Sequence, residues 1–152
     1  MQVLIVAVGK ARQAPESQLV QNWLSRLPQP GKLIEVDSKL PPGPKRTEDE
    51  GRRLLKALPD GAALAVMDPR GRDHSSEDIA VLIEGWQNAG HAAAAFAIGG
   101  ADGHADLLRQ RADRIISFGR ATWPHMLFRA MLAEQLYRAN AILAGHPYHR
   151  AN

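Results

Sequence analysis

The sequence contains no cysteine. That absence excludes disulfide bonds, thiolate metal sites and cysteine nucleophiles, although by itself it says little about the cellular compartment. Its longest apolar stretches have the length of a strand, far below the roughly 20 residues that cross a bilayer, so a soluble protein is expected. The start, MQVLIVAVGK, has no basic leader and no small-residue cleavage site. We therefore predict a first strand instead of a signal peptide, and a cytoplasmic protein.

Lysine is missing from the last third of the chain, and this makes the charge distribution uneven. Residues 1–100 carry 12 basic and 12 acidic side chains, whereas residues 101–152 carry seven arginines against four acids, which accounts for the whole net charge of +3. The planar guanidinium group suits phosphates and base edges, so this end of the chain is expected to face an anionic partner. A solvated basic face is the alternative.

Apolar periodicity alternates between strand and helix along the chain, which predicts an α/β fold with a mostly parallel, five-stranded sheet in one domain spanning residues 1–152. Ligands of such sheets bind at the carboxyl ends of the strands, which here selects the loops 67–72, 98–104 and 118–123. The predicted strands cover residues 2–8, 32–36, 62–68, 91–100 and 114–117, and the helices cover 15–28, 48–58, 75–90, 103–112 and 124–143; residues 37–47 are predicted as loop.

The stretch IGGADGH is a glycine-rich turn that follows a predicted strand. Gly99, Gly100 and Gly103 form G-G-x-x-G, which is not the G-x-G-x-x-G of dinucleotide sites, and no G-K-[ST] phosphate loop is present. A ligand contact and a simple tight turn both remain open for it. Asp68, at the end of a strand, is equally open as a base, a ribose partner or a turn cap.

Histidines are concentrated in the last third of the chain, where His146 and His149 lie three positions apart. His104 and His125 are further potential ligands. Without a cysteine or a matched acidic partner, no metal site is expected.

Four stretches taken together resemble a known family: VMDPRGR, AFAIGGADGH, SFGRATWPHMLFRAMLAEQLYRA and GHPYHR. In order and spacing they are similar to the small bacterial RlmH proteins, SPOUT-class methyltransferases that methylate N3 of a pseudouridine in 23S rRNA. The similarity runs over the whole chain and is strongest from Met67 to Arg150. EQLYRA followed by HPYHR at this distance is the most specific part.

The resemblance implies a SPOUT-type α/β knot, in which a five- to six-stranded sheet carries a C-terminal trefoil knot. General topology rules would have rejected that fold, because true knots are essentially absent from ordinary domains. It also implies a homodimer, in which the tail of one subunit reaches toward the S-adenosylmethionine of the other, and 23S rRNA or the ribosome as partner.

Carried over by motif, the cofactor-binding positions lie in the three strand-end loops. An arginine at 120 would be unfavourable beside a cationic sulfonium unless it points toward RNA. The implied cofactor-binding residues are Met67, Gly100, Gly119, Arg120, Ala121, Thr122, Trp123 and Pro124.

Removal of the N3 proton requires a base or a group that stabilises the resulting anion. We predict His149 and Arg150 as catalytic residues and Tyr148 as a stacking platform for the substrate base, with Pro147 stiffening the tail. A tail that only anchors the last helix through Tyr148 is the alternative. The competing functions are a SPOUT methyltransferase acting on tRNA, and a non-catalytic RNA- or ribosome-binding module.

Overall fold

The computed structural model describes residues 1–150, in which a five-stranded sheet of order β2-β1-β4-β3-β5 separates two layers of helices. Every strand pair is parallel, so the predicted α/β fold and parallel sheet are confirmed. No helix within residues 1–150 is long and apolar enough to cross a membrane. The elements in chain order are β1 Gln2–Val8, α1 Pro15–Ser25, β2 Lys32–Val36, α2 Pro44–Lys56, β3 Ala63–Asp73, α3 Ser76–Asn88, β4 Ala93–Ile98, α4 Asp106–Arg111, β5 Arg114–Ser117 and α5 His125–Leu143.

Two hydrophobic clusters, one on each face of the sheet, hold the layers together. Side chains of α1, α3 and α5 pack on one face around Phe96 and Leu132. Side chains of α2 and α4, among them Leu54 and Leu108, pack on the other face. Because the central strands are covered on both sides, they show continuous apolar runs instead of alternation.

The alanine-rich segment Ala93–Ile98 is a strand in the structure, as predicted, despite the high helix propensity of alanine. All six of its residues are buried between β1 and β3. The small side chains let the helices of both layers approach the sheet closely, so tertiary packing decides the conformation here.

Two predicted boundaries are wrong by four or more residues. Helix α2 begins at Pro44 and not at residue 48. The prolines of this segment favour the prediction of a loop, but proline is also well suited to the first turn of a helix. Strand β3 continues to Asp73 and not to residue 68, because after a register shift Arg72 and Asp73 pair with β5 a second time. The sheet of residues 1–150 has five strands; threading of the C-terminal segment into a knot stays a prediction.

The second half of β3 lies directly on the backbone of β5, at Gly71. A Cβ atom at this position would lie 2.7 Å from the carbonyl carbon and oxygen of Ile115 and 2.8 Å from the nitrogen of Ile116. Backbone atoms cannot move aside as a flexible side chain can, so the two strands would have to separate.

We therefore expect Gly71→Ala to lower the free energy of unfolding by about 1–3 kcal/mol, the usual cost of overpacking. Gly85, within α3, is the matched control, because an added Cβ there meets no atom within 4 Å. Gly85→Ala should raise stability by about 0.5–1 kcal/mol through helix propensity. Urea denaturation of both variants measures the difference, and equal stabilities would contradict the close approach of β3 and β5.

Candidate functional site

A cavity of about 350 Å³ opens at the carboxyl edge of the sheet, between the ends of β3, β4 and β5 and the start of α5. All three segments selected from the sequence contribute residues to it, although 67–72 is part of β3 and not a loop. Its volume lies in the range of small-molecule sites, roughly 300–1,000 Å³. The predicted location of the ligand site therefore coincides with a formed cavity.

One wall of the cavity is apolar and partly aromatic. It consists of Ile98, Ile116, Phe118 and Phe128, and the two phenylalanine rings lie with centroids 5.5 Å apart. Such a wall suits the flat face of a heteroaromatic ring.

The opposite wall is the glycine turn that follows β4. The amide of Gly103 donates to the carbonyl oxygen of Gly100 across 3.1 Å, and Gly103 has a φ of 82°, which favours glycine. A Cβ at Gly100 would lie 2.8 Å from Oε2 of Glu50, which packs behind the turn. Glycine at this position therefore lets the turn pack closely against Glu50.

Asp68 lies at the floor of the cavity and is held by two arginines. Its carboxylate accepts hydrogen bonds from the Arg70 amide at 2.9 Å and from Nη2 of Arg109 at 2.8 Å. Burial alone would raise the pKa of Asp68, but these hydrogen bonds and that from the Arg70 side chain outweigh it and lower the pKa to about 2. Of the open interpretations of Asp68, a proton acceptor at neutral pH is therefore disfavoured, because so weak a base does not take up a proton there.

His104 lines the same cavity and is buried. Its Nε2 lies 2.9 Å from the carbonyl oxygen of Met67, so Nε2 carries the hydrogen and donates it. Burial lowers the pKa of the imidazole, which keeps the ring neutral. Its Nδ1 is then an acceptor, and it has no hydrogen-bond partner among residues 1–150.

Six of the eight predicted cofactor residues line this cavity, and two do not. Arg120 is exposed and does not line the cavity, and Pro124 is the residue that precedes α5. The predicted conflict between Arg120 and a sulfonium therefore does not arise at the cavity wall. The residues brought together are Met67, Gly100, Gly119, Ala121, Thr122 and Trp123.

The predicted catalytic tail does not line the cavity of its own chain. Tyr148 packs against Trp23 and Tyr137, with ring centroids 5.8 and 5.0 Å away, and its hydroxyl donates to Glu134 across 2.8 Å. Within a single chain the tail is thus anchored to α1 and α5. Arg150 is exposed.

His149 is held at both ring nitrogens. Nη1 of Arg138 donates to its Nδ1 across 3.2 Å, so its Nε2 carries the hydrogen and donates to Glu77 across 2.7 Å. In this position neither nitrogen is free to accept a proton.

Sequence reasoning missed Arg109 and Glu50, which support the cavity from behind. Arg109 also donates to the carbonyl oxygen of His104 across 3.0 Å and so ties the glycine turn to Asp68. No motif marks either residue, because both act through partners that are distant in the sequence. For the histidines, residues 1–150 contain no group of three or more metal-ligating side chains.

Comparison with known proteins supplies a second line of observation. A family model described as "Predicted SPOUT methyltransferase" matches residues 1–149. "Ribosomal RNA large subunit methyltransferase H" of Paramagnetospirillum magneticum is 52% identical over 151 residues, which cover 99% of each chain. The protein of the same name from Roseobacter denitrificans is 45% identical, again over 99% of each chain.

Among solved structures, the fold is similar to AviRb from Streptomyces viridochromogenes, a SpoU methyltransferase crystallised in complex with AdoMet. The TM-score is 0.49 at 11% sequence identity, and the similarity covers 95% of this chain and 61% of that chain.

Proposed function

The chain belongs to the RlmH family of SPOUT methyltransferases, and from that membership we propose that it transfers a methyl group from S-adenosylmethionine to 23S rRNA, at N3 of a pseudouridine. The reaction would take place in the cytoplasm on ribosomal RNA, catalysed by one domain formed by residues 1–152. The observation that carries the proposal is the cavity at which all three predicted strand-end loops meet.

The residues of the cavity fit the cofactor. The wall around Phe118 and Phe128 accommodates a purine, the glycine turn after β4 lines the cavity, and Nδ1 of His104 has no hydrogen-bond partner among residues 1–150. Two carboxylates, Asp68 and Asp102, and two arginines, Arg70 and Arg109, line the cavity, so its formal charge is balanced and does not oppose a cationic ligand. When bound, S-adenosylmethionine supplies an electrophilic methyl group on a sulfonium centre.

The remaining requirement is to hold the nucleophilic nitrogen in line with the methyl group and to remove its proton. We assign Tyr148 to stacking on the extruded base, and Arg150 to stabilising negative charge on the ring oxygens as the N3 proton leaves. His149 would accept that proton or orient the base. A base role requires that the hydrogen bond from Arg138 to Nδ1 of His149 first be broken.

A second copy of the chain would bring the tail to the cavity. A groove between α1 and α5 exposes apolar side chains of Leu19, Trp23, Leu127 and Met131, and Phe118 lines both this groove and the cavity. A subunit seated in the groove therefore lies at the mouth of the cavity. We propose that this surface forms a homodimer and that each cavity is completed by the partner's tail.

The experiment that tests the function is methyl transfer from labelled S-adenosylmethionine to ribosomes of a strain lacking this gene, followed by mapping of the modified nucleotide. We expect label in 23S rRNA at N3 of one pseudouridine, and none on ribosomes that already carry the modification. Label in tRNA alone would indicate the competing SPOUT activity. Binding to ribosomes without label, and without cofactor binding in calorimetry, would indicate a non-catalytic module.

A further inference from the structure

Most of the arginines in the last third of the chain form ion pairs within the protein. Four of the seven arginines in residues 101–152 form ion pairs with carboxylates of the same chain. One of them is fully buried. A face that binds a polyanion needs cations without such partners, and in this part of the chain only Arg114, Arg120 and Arg150 form no ion pair with residues 1–150. The four paired arginines are Arg109, Arg111, Arg129 and Arg138.

Unpaired cations meet in a groove beside the carboxyl end of β2, which we call the lysine groove. It has a volume of about 520 Å³, and four of its eight lining residues are basic: Lys10, Lys39, Arg53 and Lys56. The chain contains only five lysines, so three of the five converge on this one groove. All three are exposed, and none forms an ion pair with any residue in the range 1–150.

The acidic residues of the groove do not neutralise these lysines. Glu35 is paired with Arg129 across 2.7 Å, and Asp37 is the one other acid that lines the groove. Arg53 is paired with Asp49 across 2.8 Å. The three lysines together therefore exceed the free acid by two charges.

Helix stabilisation accounts for only part of the arrangement. Arg53 and Lys56 lie in the last turn of α2, where cations interact favourably with the helix dipole. Lys10 and Lys39 lie in loops after β1 and β2 and serve no helix end. Their convergence with Lys56 brings like charges together, which opposes folding unless an anion is bound.

The loop that carries Lys10 is held rigidly. The Gly9 carbonyl oxygen accepts from Nη2 of Arg129 across 2.8 Å, and the Ala11 amide donates to Glu35 across 2.6 Å. A buried arginine thus fixes the backbone on both sides of an exposed lysine. Such preorganisation lowers the entropic cost of binding a ligand.

We propose that the lysine groove binds the phosphodiester backbone of the RNA substrate, a proposal that rests on the function given above. Lysine is a compact point charge that binds phosphate without selecting a base, as a positioning contact requires. The groove lies at the ends of β1 and β2 and the cavity at the ends of β4, β3 and β5. Neighbouring strands are about 4.8 Å apart, so the two sites are about 10–15 Å apart on one edge of the sheet. An RNA strand that lies across that edge of the sheet reaches both the lysine groove and the cavity.

The test measures the affinity of the full-length protein for undermethylated ribosomes and for protein-free 23S rRNA as a function of salt. Each phosphate contact that is lost should lower the slope of log K against log salt concentration by about one. We expect a decrease of about one for Lys10→Gln and of about two to three for the triple variant Lys10→Gln/Lys39→Gln/Lys56→Gln. Binding of S-adenosylhomocysteine, measured by calorimetry, should not change.

Lys32→Gln is the matched control, because this exposed lysine lies at the opposite, amino end of β2. Its slope should equal that of the wild type. A triple variant with the wild-type slope overturns the proposal while leaving the methyltransferase function intact. Weaker binding to ribosomes but not to protein-free rRNA also overturns it, since the groove would then contact an acidic protein. Failure of the wild type to methylate ribosomes instead contradicts the proposed function.

Discussion

Two variants that are each inactive should, after mixing and subunit exchange, recover about a quarter of the wild-type methylation activity. The first is His149→Ala/Arg150→Ala, which lacks the two tail groups proposed to be catalytic. The second is Gly99→Leu, in which the new side chain enters the cavity; even its Cβ would lie 3.0 Å from the Gly103 carbonyl oxygen. Calorimetry should show that the first binds S-adenosylhomocysteine and that the second does not.

The expected recovery follows from where the tail lies. Tyr148 and His149 are anchored to helices of their own subunit and do not line its cavity, so in the proposed dimer the complete site takes its tail from the partner. Random exchange makes about half of the dimers mixed, and one of the two sites in each mixed dimer combines an intact cavity with an intact tail. Each variant alone, exchanged with itself, contains no complete site.

Activity that stays at background in the mixture, with subunit exchange verified by tagged chains, would show that the tail serves its own cavity.

Deleting residues 146–152 should likewise abolish methylation and leave S-adenosylhomocysteine binding largely intact. Full activity of that truncated chain would show that the tail takes no part in catalysis.

A loss of methylation activity of about 10²–10⁴-fold for His149→Ala alone, with recovery at higher pH, would support a role as general base over a role in orienting the substrate base.

The sheet and the location of the ligand cavity could be predicted from the sequence because both depend on local signals. Strand-length apolar runs ending in glycine mark the carboxyl edge, and chain direction is the same in every strand of a parallel sheet. The cavity around Met67, Gly100 and Gly119 therefore follows from where three strands end. The second part of β3 could not be predicted, because Pro69 and Gly71 are typical of turns, and Arg72 and Asp73 pair with β5 only after a register shift.

The distribution of unpaired charge could not be predicted from the sequence. Counting arginines indicated the last third of the chain as the basic region, but Arg109 and Arg138 are paired within the chain and Arg129 is buried. Meanwhile Lys10, Lys39 and Lys56 come from residues 1–100, whose net charge is zero. Formal charge is a count of residues, whereas the binding of an anion depends on which charged side chains lack a partner. Pairing is a property of the tertiary structure.

Replacing Arg129 should cause the largest loss of stability of any single change considered. This side chain is 1% exposed. Its guanidinium group donates to Glu35 across 2.7 Å and to the carbonyl oxygens of Val8 and Gly9 across 3.0 and 2.8 Å. Arg129→Met keeps most of the apolar stem but leaves a carboxylate and two carbonyls without their donor. We expect a loss of about 3–5 kcal/mol in the free energy of unfolding.

Urea denaturation measures that loss, and Arg52→Met provides the comparison. Arg52 forms an equally short ion pair, 2.7 Å from Glu48, but its side chain is 57% exposed, so its removal should cost no more than about 0.5 kcal/mol. Adding Glu35→Gln to Arg129→Met should recover part of the stability, because the uncompensated charge is gone while the Ala11 amide keeps an acceptor.

The same substitution should also weaken cofactor binding, because Arg129 lies near the start of α5, immediately after the loop that lines the cavity. It ties that helix to the ends of β1 and β2, so its loss frees the wall formed by Phe128 to move. We expect weaker S-adenosylhomocysteine binding at a temperature where the variant is still folded. Unchanged affinity together with a loss of stability would show that Arg129 supports the fold but not the cofactor site. A free energy of unfolding within 1 kcal/mol of the wild type would contradict the importance of the buried ion pair itself.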